Sequence, residues 1–175
     1  PGPLEPVDQE VRDAVLAGFA SVGDLLLRHR QKAAIAEAMR VVGEVNAYVS
    51  RTEPFKLKAE HERERLATVL HTLVQCVSDL NTVLAPFLPH AANRVDVVLG
   101  GSGAFVPMPH LETVVGLDAA DEGASYPVIT GDYTGTPRWE SRPVVVGTPI
   151  SKPAPVFTKL DESVVDEELA RAEGA

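Results

Sequence analysis

The spacing of apolar residues over roughly residues 8 to 100 constrains this chain more than any other feature. Its longest regular stretch comprises Leu66, Leu70, Leu73, Val77, Leu80, Leu84 and Phe87. Steps of three and four residues place such side chains on one face of a helix. Pro86 and Pro89 close the stretch, because proline lacks the amide that would continue a helix. This pattern predicts a long amphipathic helix.

Three further segments have the same period. The first begins at Asp8, a suitable N-cap, extends to about His29, and carries Val11, Val15, Phe19, Val22 and Leu26. The second carries Ile35, Met39, Val42, Val45 and Val49. It must end at Pro54, which restricts Glu53 to extended geometry. A short fourth segment starts near Pro89 and stops at Gly100 and Gly101. Four amphipathic helices with short connections predict an all-α fold, an antiparallel helical bundle.

The helical period fails after Gly101. Residues 101–160 are rich in Pro and Gly, with brief β-prone runs at 126–130 and 144–146. An irregular stretch this long is unusual in a free-standing domain, so we expect it to wrap over another surface. A helical pattern returns after Asp161, a second potential cap. We therefore predict a bundle over 1–100, a long extended linker over 101–160 and a C-terminal helix over 161–175.

Charge is distributed unevenly. Residues 1–100 hold 11 basic and 13 acidic side chains, whereas residues 101–175 hold 5 and 12. The net charge of −9 argues against indiscriminate nucleic-acid binding, which depends on neutralising phosphates. Residues 28–58 nevertheless hold seven basic and three acidic side chains. A local basic patch is therefore predicted despite the acidic total.

Several classes of protein are disfavoured. The single cysteine, Cys76, cannot form an internal disulfide, and it favours a reducing, cytoplasmic setting. No apolar run approaches the roughly 20 residues that span a bilayer, so no membrane segment is predicted. The N-terminus lacks an initiator Met and a signal sequence, and we expect the chain to be an interior piece of a longer one.

No catalytic or metal site is predicted. The sequence contains no nucleophile elbow, P-loop, Rossmann glycine pattern or His-Glu-x-x-His motif. The run Gly100-Gly101-Ser102-Gly103 lacks the Lys-Ser/Thr of a phosphate loop and is typical of a helix stop. The five histidines include no pair at positions i and i+4.

Two residues invite a functional interpretation. Asn46 falls on the predicted apolar stripe of the second helix, where it is either a paired buried amide that holds a neighbouring loop or a binding residue. Phe55 follows the helix-ending Pro54 among Arg51, Lys56 and Lys58. Such a ring either folds back on the bundle or stacks on a nucleic-acid base while the cations meet phosphates.

The order of motifs resembles a known family. Residues 45–49 (Val-Asn-Ala-Tyr-Val), 54–57 (Pro-Phe-Lys-Leu) and 80–92, with the sequence Ala-Pro-Phe-Leu-Pro, resemble the anticodon-binding helical bundle of class I aminoacyl-tRNA synthetases. The tail at 147–150 and 155–161 makes bacterial methionyl-tRNA synthetases the nearest match. The resemblance covers roughly residues 8–100 and 147–173, and residues 102–143 match nothing comparable.

The resemblance implies a bundle that reads the CAU anticodon of methionine tRNA, with an aromatic residue after proline stacking on a base. Phe55 stands where the family has Trp. Asn46, Arg51, Pro54, Lys56 and Lys58 are the accompanying candidates. The family's ATP-binding signatures are absent from this chain; the family uses ATP with magnesium. The helix on which the family carries the Asn and Arg that read the anticodon is also absent from this chain. The implied partners are tRNA and a catalytic half of the same enzyme, toward which the C-terminal helix returns.

Two alternatives remain open at this stage. The chain is compatible with the bundle of another class I synthetase, or with a non-catalytic helical protein-interaction module that has the same packing pattern.

Overall fold

The computed structural model describes residues 1–115, 123–131 and 138–173. The helices are α1 (Pro6–Leu27), α2 (Gln31–Thr52), α3 (Arg63–Leu84), α4 (Pro89–Val98) and α5 (Ser163–Glu173), and the strands are β1 (His110–Val115) and β2 (Ser125–Thr130). The chain is mostly helical with one small sheet, which confirms the predicted all-α class. Residues 174–175 of the predicted terminal helix lie outside the described ranges.

The core lies between α1, α2 and α3. Short connections fold successive helices back on one another. Residues from all three helices form one buried cluster, Val11, Val15, Val41, Val45, Tyr48, Val69, Cys76 and Leu80, and a second one, Phe19, Val22, Ala34, Ala38 and Val83. Ala34 and Ala38 are fully buried where α2 meets α1. A Cβ on Gly18 would lie 3.1 Å from Val41 Cγ2, so small residues let these two helices approach closely.

The predicted helices are confirmed, but the predicted buried face of α2 is only partly correct: Val45 is buried, and Val42 and Val49 are half-buried. Ile35 and Met39 are exposed, and the side chains that face the core are Ala34, Ala38, Val41, Val45 and Tyr48. The same displacement occurs in α3, where Leu70 and Val77 are exposed beside buried Val69 and Cys76. Close packing against α1 selects small side chains over the largest apolar ones.

Asp8 is not the N-cap that the sequence suggested. The helix begins two residues earlier, at Pro6, and Asp8 is fully buried in its first turn. The Asp8 carboxylate accepts hydrogen bonds from the Glu5 amide at 2.8 Å and from the Tyr48 hydroxyl at 2.5 Å. The Arg65 guanidinium donates two more, from Nη1 at 2.5 Å and Nη2 at 2.9 Å. This carboxylate therefore connects α1, α2 and α3.

The contacts of Asp8 determine its charge state. Burial alone would raise the pKa of the Asp8 carboxyl, but hydrogen bonds from Arg65, Tyr48 and Glu5 together hold that pKa below its ordinary value. Burial, reinforced by the hydrogen bond to Asp8, raises the pKa of the Tyr48 hydroxyl. At neutral pH the group is therefore an ionised carboxylate beside a protonated phenol and a guanidinium.

Part of the segment predicted to wrap over another surface lies on the chain's own helices. The side-chain amide of Gln75 donates to the Arg142 carbonyl at 2.9 Å and accepts from the Val144 amide at 2.8 Å. The Trp139 indole donates to the Phe19 carbonyl at 2.7 Å, and the two rings meet edge to face at 5.8 Å. Residues 138–144 thereby cover the groove between α1 and α3.

The remaining predictions for the second half have mixed outcomes. The β-prone run at 126–130 is confirmed as part of β2, whose antiparallel partner β1 was not predicted. The run at 144–146 is not a strand. Val144 instead pairs with side chains of α3. The terminal helix is confirmed, with Asp161 accepting the Ser163 amide at 3.0 Å. The division into three segments stays a prediction.

Among the helices in the described ranges, none is both long enough and apolar enough to cross a membrane.

Replacing Asp8 with Asn should lower the free energy of unfolding at pH 7 by about 3 kcal/mol, because Arg65 loses a buried carboxylate partner. A lowered native pKa stabilises the fold above the unfolded-state value of about 3.9, and this contribution is lost as the pH falls through the native value. The deficit of Asp8→Asn should therefore shrink between pH 7 and pH 3, as measured by urea unfolding. The exposed Asp13→Asn is the matched control. A deficit equal at both pH values would contradict the assigned charge state.

Candidate nucleic-acid interface

The loop that joins α2 to α3 has an unusual start. Glu53 has φ 42° and ψ 54°, in the left-handed region, and not the extended geometry expected before proline. The Pro54 ring disfavours the right-handed helical conformation for the preceding residue, and the left-handed one keeps the bond from the Glu53 amide to the Val49 carbonyl at 2.9 Å. The chain then makes a 3-10 turn over Pro54–Lys56. The left-handed residue and the proline together turn the chain sharply away from α2.

Phe55 occupies the middle of this turn. Its side chain is 63% exposed, so the ring does not fold back on the bundle and that interpretation is wrong. The turn is closed by the bond from the Lys56 amide to the Glu53 carbonyl at 2.8 Å. An aromatic ring is thus presented to solvent on a backbone that Pro54 and the turn hydrogen bond restrain.

Most cations of the predicted basic patch are already paired. Lys56 Nζ lies 2.7 Å from Glu53 Oε1, and Arg51 Nη1 lies 2.9 Å from Glu10 Oε2. Arg40 is paired with Glu37, and the hydrogen bonds that Glu37 accepts from Arg40 and from Ser21 lower the pKa of its carboxyl to about 2. Exposed pairs of this kind contribute little to stability, so their cations remain able to exchange a carboxylate for a phosphate.

Lys58 differs from Lys56. Among the described residues, no carboxylate lies within 4 Å of its ammonium group. Its backbone amide donates to Glu62 Oε2 at 3.0 Å, and the residue is exposed to solvent. Lys58 is therefore the cation of this loop that is most available to an anion.

Asn46 is exposed on α2, and the buried-amide interpretation is wrong. The sequence placed Asn46 on the core side of α2, whereas the buried residues around it are Val45 and Tyr48. Asn46 is about two helical turns before the loop. The structure thus places Arg51, Pro54, Phe55, Lys56 and Lys58 in or next to one loop, with Asn46 farther along the same helix.

The residues that support this loop were not predicted from the sequence. Tyr48 is near the end of α2 and Arg65 near the start of α3, and both bind Asp8. The helices on either side of the loop are therefore tied to each other through α1. A sequence signal did exist: Ala34, Ala38, Val41, Val45 and Tyr48 recur at helical spacing. Because two of its members are alanines, this series is less apolar than the predicted stripe that contains Ile35 and Met39.

In the described ranges, no three His, Cys, Asp or Glu side chains lie close enough to hold a metal ion.

Comparison with known proteins identifies the family. No protein-family model matches the chain. A methionine–tRNA ligase from Nocardioides sp. is 60% identical over 172 residues, which are 98% of this chain and 28% of that protein. One from Beutenbergia cavernae is 58% identical over 175 residues, with the same coverage. This chain belongs to the methionine–tRNA ligase family. It corresponds to the C-terminal part and spans a little over a quarter of the length of these relatives.

Solved structures agree at the level of the fold. Mycobacterium tuberculosis methionyl-tRNA synthetase in complex with methionyl-adenylate matches 91% of this chain and 26% of its own, with a TM-score of 0.64 at 18% identity. Its apo form matches 88% of this chain with a TM-score of 0.55.

Membership of the methionine–tRNA ligase family selects among the interpretations left open by the sequence. The relatives match almost the whole chain, including residues 102–143, for which the motifs offered no counterpart. The alternatives, another class I synthetase or an unrelated interaction module, are not favoured.

Proposed function

We propose that this chain is the part of a methionine–tRNA ligase that recognises the CAU anticodon of methionine tRNA. The observation that carries the proposal is the exposed Phe55 ring on a restrained turn at one end of the bundle, three residues before Lys58, which has no ion-pair partner among the described residues. Nucleic-acid recognition in single-stranded loops needs an aromatic surface for a base and cations for the backbone, and the loop presents both.

Each candidate residue has a distinct role in this proposal. Phe55 stacks on an unpaired anticodon base, and Pro54 reduces the entropy lost on binding because it restrains the turn beforehand. Lys58 contacts a phosphate directly. Lys56 and Arg51 contact phosphates after each exchanges its carboxylate partner for a phosphate. Asn46 offers both an amide donor and an amide acceptor to a base edge or the backbone.

The complete enzyme joins methionine to its tRNA with ATP and magnesium in the cytoplasm. In this proposal methionine, ATP and magnesium bind to the part of the polypeptide that precedes this chain. The present chain contributes tRNA selection alone, because its sequence holds no ATP-binding signature.

In the complete enzyme, Phe55→Ala should weaken binding of a CAU anticodon hairpin by roughly fivefold to over a hundredfold, since stacking on one base contributes about 1 to 3 kcal/mol. Phe55→Trp should bind as well or better, because the indole offers a larger stacking surface. Fluorescence titration and aminoacylation kinetics measure the effect.

The control for Phe55 is Leu27→Ala, which truncates an exposed apolar side chain at the opposite end of the bundle. This variant should bind the hairpin like the parent. Unchanged charging by Phe55→Ala together with a melting temperature lowered by several degrees would make Phe55 a packing residue and refute its role.

Lys58→Ala should lower affinity equally for hairpins with different anticodons and reduce the slope of log affinity against log salt by about 0.7, as expected for one lost phosphate contact with a single strand. Lys32→Ala, an exposed lysine near the other end of α2, should leave the slope unchanged. A loss confined to the CAU hairpin would instead assign Lys58 to base recognition.

The chain by itself should not activate methionine, because it lacks the ATP-binding signatures of the family. Methionine-dependent exchange of pyrophosphate into ATP should stay at background with the purified chain and be restored in the complete enzyme. Exchange that persists through repurification would show that catalysis is not confined to the preceding part.

A further inference from the structure

A cavity of about 1200 Å³ lies beside the ends of α3 and α4. It is lined by Thr82 of α3, by the turn after α3, by the loop 101–108 and by residues 138–142. The loop that carries Phe55 precedes the start of α3, and a helix of this length places its two ends about 30 Å apart. The cavity is therefore separate from the candidate nucleic-acid interface.

Two guanidinium groups line this cavity without a carboxylate partner. Arg138 and Arg142 are exposed, and neither forms an ion pair with another described residue. Asp96 is the only acidic side chain of the described lining, and its carboxylate accepts a hydrogen bond from the Gly103 amide at 2.9 Å. Residues 101–175 hold 12 acidic and 5 basic side chains, so two unpaired arginines at one cavity stand out against an acidic background. Their charge is available to an anion.

The backbone that carries the two arginines is held in place. The Trp139 indole donates to α1, and a Cβ on Gly23 would lie 2.9 Å from Trp139 Nε1, so glycine allows this close approach. The side-chain amide of Gln75 donates to the Arg142 carbonyl at 2.9 Å. Because residues 139 and 142 are both bound to helices, less entropy is lost when a ligand binds to Arg138 and Arg142.

The loop 101–108 is held in a similar way by α4. Asn93 Nδ2 donates to the Val106 carbonyl at 3.1 Å, and Asn93 Oδ1 accepts from the Val106 amide at 2.7 Å. Asp96 binds the same loop at Gly103. Two parts of the lining that are distant in sequence are thus fixed by side chains of the bundle.

The lining also offers apolar surface. Phe105, Val106 and Met108 are half-buried members of it, and Ala85 and Pro86 contribute from the turn after α3. Ligand sites of proteins typically combine such apolar surface with a few fixed polar groups. Here the fixed polar groups are cations.

Charge and size together select a class of ligand. A guanidinium group matches the geometry of carboxylates and phosphates. Two guanidinium groups suit a phosphate monoester, whose charge at pH 7 is about −1.5 to −2, better than a single carboxylate. Sites for small organic ligands measure roughly 300 to 1,000 Å³, so the cavity is large enough for an organic molecule and far larger than a bare phosphate ion needs.

We infer that this cavity binds an organic phosphate of nucleotide size. Its phosphate binds Arg138 and Arg142, and its apolar body lies against Phe105 and Met108. The inference does not depend on the proposed role of Phe55, because the two sites lie at opposite ends of α3.

The test is photolabelling of the complete enzyme with an azido derivative of AMP, which carries both a phosphate and a planar body. Labelled peptides are identified by mass spectrometry. Peptides that contain residues 82–108 or 138–142 should be labelled, and AMP should suppress this labelling. Adenosine, which lacks the phosphate, should compete at least about tenfold more weakly, as expected when hydrogen bonds to a charged group are lost. Labelling of peptides before Pro1 reports binding elsewhere in the enzyme and serves as an internal standard.

Arg138→Gln and Arg142→Gln should each weaken labelling of the cavity peptides by roughly tenfold or more for the same reason. Arg30→Gln, which changes an exposed arginine outside the cavity, should label like the parent. Unchanged labelling before Pro1 shows that each variant remains folded.

Three results would overturn the inference. The first is labelling confined to peptides before Pro1. The second is competition by adenosine as strong as that by AMP. The third is competition at the cavity peptides by tRNA and not by AMP, which would assign both arginines to an RNA backbone.

Discussion

The buried carboxylate of Asp8 is the interaction on which the arrangement of the three main helices depends. It accepts hydrogen bonds from the start of α1, from Tyr48 of α2 and from Arg65 of α3. A lone buried charge would be strongly destabilising, so its partners must all be in place for the helices to pack. Because Tyr48 and Arg65 lie on either side of the loop that carries Phe55, the geometry of the loop follows from this cluster.

The existence of the helices was predictable from the sequence, and their orientation was not. Proline and glycine positions located the ends of α2 and α4 correctly, since their effects on the backbone are local. The buried face of α2 was misjudged because Met39 and Ile35 are more apolar than Ala34 and Ala38. Which of two neighbouring stripes is buried depends on the partner helix, and local spacing does not contain that information.

The candidate site shows a similar division. Phe55, Lys56 and Lys58 were found from the sequence because an aromatic and two cations follow a helix-ending proline within five residues. The contacts of Asp8 were not found, because they join residues 40 and 57 positions apart. The ion pair of Arg51 with Glu10 could not be predicted from the sequence either. Because of this pair, Arg51 must leave Glu10 before it can bind a phosphate.

The Gln75 amide has a consequence for how this part of the chain can vary. It binds the main-chain carbonyl of Arg142 and the main-chain amide of Val144, as a neighbouring β-strand would. Because recognition involves backbone atoms, side chains at 142 and 144 can diverge among orthologues without loss of the contact. Gln75 has no such freedom: a shorter or charged side chain lacks either the reach or the paired donor and acceptor. Mutational tolerance should therefore differ sharply between the two sides of one contact.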